Sequence, residues 1–129
     1  MKKQLRKPKH SNVNKKPAKL GAHLVTMGQR WKLVPIADFI GDSNLQGQCD
    51  KDRREIQFKS GVAEDAMLDT ILHEVLHAYH EINRFPETLP EDPHAIEEYF
   101  CQWTSAVMVD FIRNNPAFIM LLISTWKGK

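Results

Sequence analysis

The chain has 129 residues, 42% of them hydrophobic and 26% charged, with a formal net charge of +2, which is one domain's worth of ordinary soluble composition. The apolar run 117–126 is too short to cross a bilayer, and no apolar segment follows the N-terminal lysines. A membrane partner and a signal peptide are therefore not expected, and a cytoplasmic location is. Cys49 and Cys101 are too few for a secreted disulfide framework and lack the paired spacing of a cysteine zinc site, so both are expected reduced.

The charge is unevenly divided. Residues 1–19 carry eight Lys or Arg and no acid, whereas residues 20–129 carry the other ten basic residues and all sixteen acidic ones, so a tail of +8 precedes a body of −6. The tail has only Leu5 and Val13 as sizeable apolar groups and is expected to be disordered, because it cannot offset its ordering entropy by burial. Such a run attracts polyanions, so non-specific nucleic acid is a candidate partner for residues 1–19; a solubilising extension explains the same composition.

Trp31–Ile36 and Arg54–Lys59 have strand character. Ile56 and Phe58 lie on one face of the second, with Glu55, Gln57 and Lys59 on the other. A turn-rich connection, Gly41 to Asp52, separates them, and a small antiparallel sheet is expected. Pro35 marks the first strand as an edge or as ending there. From Glu64 to Ile82 the period becomes helical, with Leu68, Ile71, Leu72, Val75, Tyr79 and Ile82 forming one apolar stripe. Residues 83–92 read as a loop. Asp92-Pro93 is a capped helix start, and Asn115-Pro116 ends that helix at Asn114. A short apolar helix over 117–126 follows. The fold class expected is α+β.

The first helix carries His73-Glu74-Val75-Leu76-His77, an HExxH pattern. A chance occurrence is expected roughly once in sixty chains of this composition, so the pattern alone does not decide the matter. The helical wheel puts His73 and His77 on a face with Asp69 and His80, roughly opposite the apolar stripe. Two imidazoles one turn apart can reach one ion, and Glu74, about 100° round the helix, can lie beside it as a general base for a metal-bound water. Val75 belongs to the core, and Leu76 is expected to pack near the site. For a third ligand, His80 lies two turns from His73, about 10 Å along the axis, too far for one ion to take both. His94 starts the second helix and has a smaller claim. The second helix's apolar stripe is Ile96, Phe100, Trp103, Val107 and Phe111. Glu97 lies on its flank and Glu98 nearly opposite, which favours Glu97.

With His73, Glu74, His77 and Glu97 in these positions, the chain resembles zincin metallopeptidases of the glutamate-ligand, or gluzincin, type. "TILHEVLHAYHEI" and "AIEEYFCQWTSAVMVDFIRNNP" are similar to small phage-encoded zinc metallopeptidase-like proteins near the SprT-like and ImmA/IrrE-like groups. With "GQCDKDRREIQF" the likeness spans roughly residues 30–116. The resemblance implies a minimal zincin core over 20–129, Zn2+ held by His73, His77 and Glu97, Glu74 as base, and hydrolysis of a protein or peptide substrate. It also implies that Arg54–Lys59 is an edge strand beside the cleft. No position matches the family's transition-state hydrogen-bond donor; Tyr79, His80, His94 and Tyr99 are candidates. The sequence departs from SprT-like proteases in lacking a glycine turn after HEVLH, and from the ImmA/IrrE-like group in the bulky Tyr99, Phe100 and Trp103. An alternative to the peptidase is a non-catalytic metal-containing module that binds nucleic acid through the basic tail.

Overall fold

The computed structural model describes residues 19–84 and 88–125. The basic tail up to residue 18 lies outside them. Four strands, β1 (His23–Thr26), β2 (Gln29–Ile36), β3 (Gly47–Asp50) and β4 (Glu55–Lys59), form one sheet in the order β1-β2-β4-β3. Three helices follow: α1 (Glu64–Ile82), α2 (Pro93–Asn114) and α3 (Pro116–Thr125). The α+β class stands, but the sheet is mixed rather than antiparallel. β1 pairs antiparallel with β2 and β3 with β4, while β2 and β4 run parallel. The chain leaves β2, forms β3 at the far edge and returns by a hairpin into the space between them.

Local chemistry explains each strand end. Met27 and Gly28 both have positive φ (45° and 78°), the two-residue turn whose twist suits a tight hairpin, and Gly28 adopts it without steric cost. Pro35 does not mark an edge. The Lys32 N–H donates to Arg54 on the β4 side and the Leu33 N–H to Ala22 on the β1 side. By alternation Pro35 turns its missing N–H toward β1, which begins only at His23, opposite Lys32. The proline therefore removes no bond from the sheet. Residues 41–52, expected as loop throughout, contain the short strand β3.

One face of the sheet is covered by the helices. Leu24, Trp31, Leu33, Ile56 and Phe58 join Leu68, Ile71, Val75, Ala78 and Tyr79 of α1, Val107 and Phe111 of α2, and Phe118 and Leu121 of α3 in a single buried cluster. Asp92 caps α2 by accepting from the His94 N–H at 3.3 Å, with Pro93 in the first turn, where no N–H is required. Phe100 departs from the expected stripe: it is 55% exposed, because α2 packs through Trp103, Val107 and Phe111 and lifts away from the core toward its start. No single helix among the described residues is long and apolar enough to cross a membrane; α2 and α3 meet at 95°.

That bend places Asn115 against the outer side of β1. Its side-chain amide accepts from the Val25 N–H and donates to the Val25 carbonyl, both at 2.7 Å, and also donates to the Phe111 carbonyl at 3.0 Å. One side chain thus reproduces the two-bond exchange of an antiparallel residue pair. Next to it, Asp110 accepts from the Met27 N–H at 2.8 Å and from the buried Tyr79 hydroxyl at 2.5 Å. Burial and then this bond to Asp110 hold the Tyr79 hydroxyl far above the usual phenol range.

Candidate metal centre

α1 brings His73, Glu74 and His77 together at the other end of the sheet. One potential ligand atom from each lies within 4.8 Å of the other two, the only such group of three His, Cys, Asp or Glu among the described residues. The imidazoles, one helical turn apart, stand edge to face with centroids 5.1 Å apart. Both histidines are exposed, whereas Glu74 is only 8% exposed. The register explains the difference: Val75, Ala78 and Tyr79 face the core, the histidines face out, and Glu74 falls between them, against β3.

The strand beside this group is β3, not β4. β4 is bonded on both sides, to β2 and β3, so the expected edge role of Arg54–Lys59 is corrected; Arg54 itself sits in the hairpin turn with φ 52°. The Lys59 N–H donates to the Gln46 carbonyl, which sets the alternation of the antiparallel pair. Gln48 and Asp50 then bond inward to β4, leaving the N–H and C=O groups of Gly47 and Cys49 directed to the free edge. The salt bridge from Lys51 to Glu81, at 2.9 Å, ties the end of β3 to the last turn of α1 and holds Glu81 below the usual carboxylate range. A cavity of about 260 Å³ opens between Leu45–Gly47 and the α1 residues Asp69, Thr70, His73 and Glu74. A larger concavity, about 620 Å³, runs along the outer face of α2 past Gln102, Val109 and Arg113, away from the histidines.

Glu97 and Glu98 are both exposed on α2 and do not join the cluster. The cause is how α2 is anchored. The Trp103 indole N–H donates to the Asn83 carbonyl at 2.6 Å, and the Tyr99 hydroxyl to that of Arg84 at 3.1 Å, fixing this part of α2 at the C-terminal end of α1. Asn83 lies ten residues beyond His73, about 15 Å along the helix axis. His80, half-buried, and His94, exposed at the start of α2, also stay outside the cluster. Tyr79 points into the core toward Asp110 and is removed as a transition-state donor, and Tyr99 is engaged with Arg84. Leu76 is 41% exposed rather than packed.

Two contributors were not expected from the sequence. Gly47 of β3 packs against Glu74, and Cys49, two residues on, lies on the same face of the strand. Burial first, then the nearby Glu74 carboxylate, pushes the Cys49 thiol up to about 11, so it is a neutral packing group at physiological pH rather than a thiolate ligand.

The donor set suits a zinc ion in part: two imidazoles one turn apart, and the carboxylate of a largely buried residue, open to the adjoining cavity, to which no described residue donates a hydrogen bond or brings a cation. Comparison with family models, curated proteins and solved structures finds no match to this chain.

Proposed function

We propose that the protein is a zinc-dependent peptidase in which His73 and His77 hold the ion and Glu74 is the general base. The observation that carries this reading is that two exposed imidazoles and the carboxylate of Glu74 lie together beside an edge strand. Zinc bound there would supply a Lewis acid that lowers the pKa of a water. Glu74 would accept a proton on a carboxylate oxygen and return it to the departing amine. An extended peptide adds along β3, where the free N–H and C=O groups of Gly47 and Cys49 offer strand-pairing partners within one residue of the cavity mouth.

Among the described residues no third His, Cys, Asp or Glu beyond Glu74 stands with the two histidines. For Glu97 to serve as a ligand, the start of α2 must move toward His77, releasing the Tyr99 and Trp103 contacts with Arg84 and Asn83. Metal analysis tests the assignment directly. Wild type should bind one zinc, His73→Ala and His77→Ala none, and Glu97→Ala should bind weakly while Glu98→Ala binds normally. A wild-type protein without stoichiometric zinc overturns the proposal, and normal binding by Glu97→Ala removes Glu97 from it.

A further inference from the structure

We infer that Gly47 is a positioning residue for Glu74: its lack of a side chain lets Glu74 lie against β3 with its carboxylate beside His73 and His77. This rests on the peptidase reading and adds to it a residue outside the HExxH motif.

The need for glycine here is one of space. Gly28, Gly41 and Gly61 take positive φ, where other residues are strained and where a Cβ would meet nothing within 4 Å. Gly47 is the reverse case. It has no positive φ, but a Cβ there would stand 2.6 Å from Thr70 Cγ2, 3.1 Å from Glu74 Cγ and 3.2 Å from the Gln57 carbonyl oxygen. A strand interior disfavours glycine unless another group approaches closely, and here α1 does.

Which neighbour yields to an added methyl follows from how each is held. The Gln57 carbonyl belongs to β4, bonded on both sides, and does not move cheaply. Thr70 is β-branched and helical, so it has few χ1 positions. Glu74 is unbranched at Cβ and can swing, and its carboxylate lies beyond the Cγ that would be pushed. A methyl at 47 therefore presses on Thr70 Cγ2 first and on Glu74 Cγ next, and the carboxylate carried by that Cγ is displaced. A 1 Å misplacement of a catalytic group is enough to lower a rate about 100-fold. Gly47 also turns its own N–H and C=O to the free edge, so one residue fixes both the line of a bound peptide and the depth of the base.

The test uses Co2+ as a spectroscopic substitute for zinc in the full chain, comparing wild type, Glu74→Gln, Gly47→Ala and Gly47→Ala/Thr70→Ala. Gly47→Ala should bind one Co2+ with affinity changed by less than about 10-fold, the smallest loss usual when a group orienting a ligand is removed. Its visible bands should shift from the wild-type position to that of Glu74→Gln, because in both the metal-bound water has lost its carboxylate partner. Deleting Thr70 Cγ2, the nearest obstruction, should return the double variant's bands toward wild type. A Gly47→Ala spectrum identical to wild type overturns the positioning role and leaves the metal site standing. Absence of stoichiometric Co2+ in wild type overturns the peptidase reading and this inference with it. If Gly47→Ala does not fold by circular dichroism, the double variant decides: folded with wild-type bands it supports the role, and unfolded or with Glu74→Gln bands it overturns it.

Discussion

The two edges of the sheet are finished in opposite ways. At β1 the outward N–H and C=O of Val25 are both taken by Asn115, and the Met27 N–H by Asp110, so the polypeptide blocks that edge with its own side chains. At β3 the corresponding groups of Gly47 and Cys49 face outward with no partner among the described residues, and the one dense group of metal-binding side chains stands beside them. An unpaired edge invites unwanted pairing, and proteins usually cover or blunt it. Here the covered edge supports the structure and the uncovered edge lies beside the proposed chemistry, so disruption should separate stability from reactivity.

The largest effect expected is at the open edge. Glu74→Gln should lower peptide hydrolysis by about 10²–10⁴-fold, the usual contribution of a general base, while leaving zinc stoichiometry intact. Its thermal midpoint should not fall, since a largely buried charge is replaced by a neutral amide. Turnover assays alongside thermal melts check both halves, and a variant as active as wild type breaks the assignment of roles to the two edges.

At the closed edge, Asn115→Ala should destabilise by about 1–3 kcal/mol, because it leaves the half-buried N–H and C=O of Val25 without partners. Zinc affinity should be unchanged. Urea denaturation with metal titration is the check, and loss of zinc binding without loss of stability would reverse the division. Tyr79→Phe should cost less, about 1–2 kcal/mol, through loss of the bond to Asp110. This tyrosine also sets a pH signature. Its folded pKa is raised above the ordinary value of 10, so its contribution is fully present below about pH 10 and is lost as pH rises further. Wild-type stability should therefore fall more steeply than that of Tyr79→Phe above pH 10.

The smallest effect needs no mutation. In hydrogen exchange the amide of Cys49 should exchange faster than that of Val25, although both lie half-buried on sheet edges. Equal protection would show that β3 is covered in solution.

The helices were legible because their ends are written locally. Asp92-Pro93 and Asn115-Pro116 bracket α2 as read, and the apolar period from Leu68 to Tyr79 fixes both α1 and the outward face of His73 and His77. α3 begins at Pro116, one residue earlier than expected, and Trp126, its expected end, lies outside the described residues. The short strands were not legible. Gly47-Gln48-Cys49-Asp50 has no β-branched residue, and its place in the sheet comes from pairing with β4 rather than from propensity. The parallel pairing of β2 with β4 is a non-local choice that a period-2 pattern cannot distinguish from an antiparallel one. Asn115 was readable as a helix stop, but its bonds to Val25 span ninety residues of sequence and leave no local trace. The wheel set Glu97 on the flank of α2's stripe and Glu98 opposite, yet both are exposed. It could not say that Tyr99 and Trp103 would fasten α2 to the far end of α1.

The Asn115 clamp has a consequence for assembly. A sheet with two open edges is a bifunctional monomer and can add copies from both sides without limit, as in a fibril. With β1 terminated from within, this sheet is monofunctional. If two β3 edges meet, each consumes the other's only free valence, and growth stops at a two-fold dimer. One asparagine at a helix joint therefore sets the largest edge-to-edge aggregate the folded protein can form, and that dimer would bury the very strand on which a substrate peptide is proposed to lie.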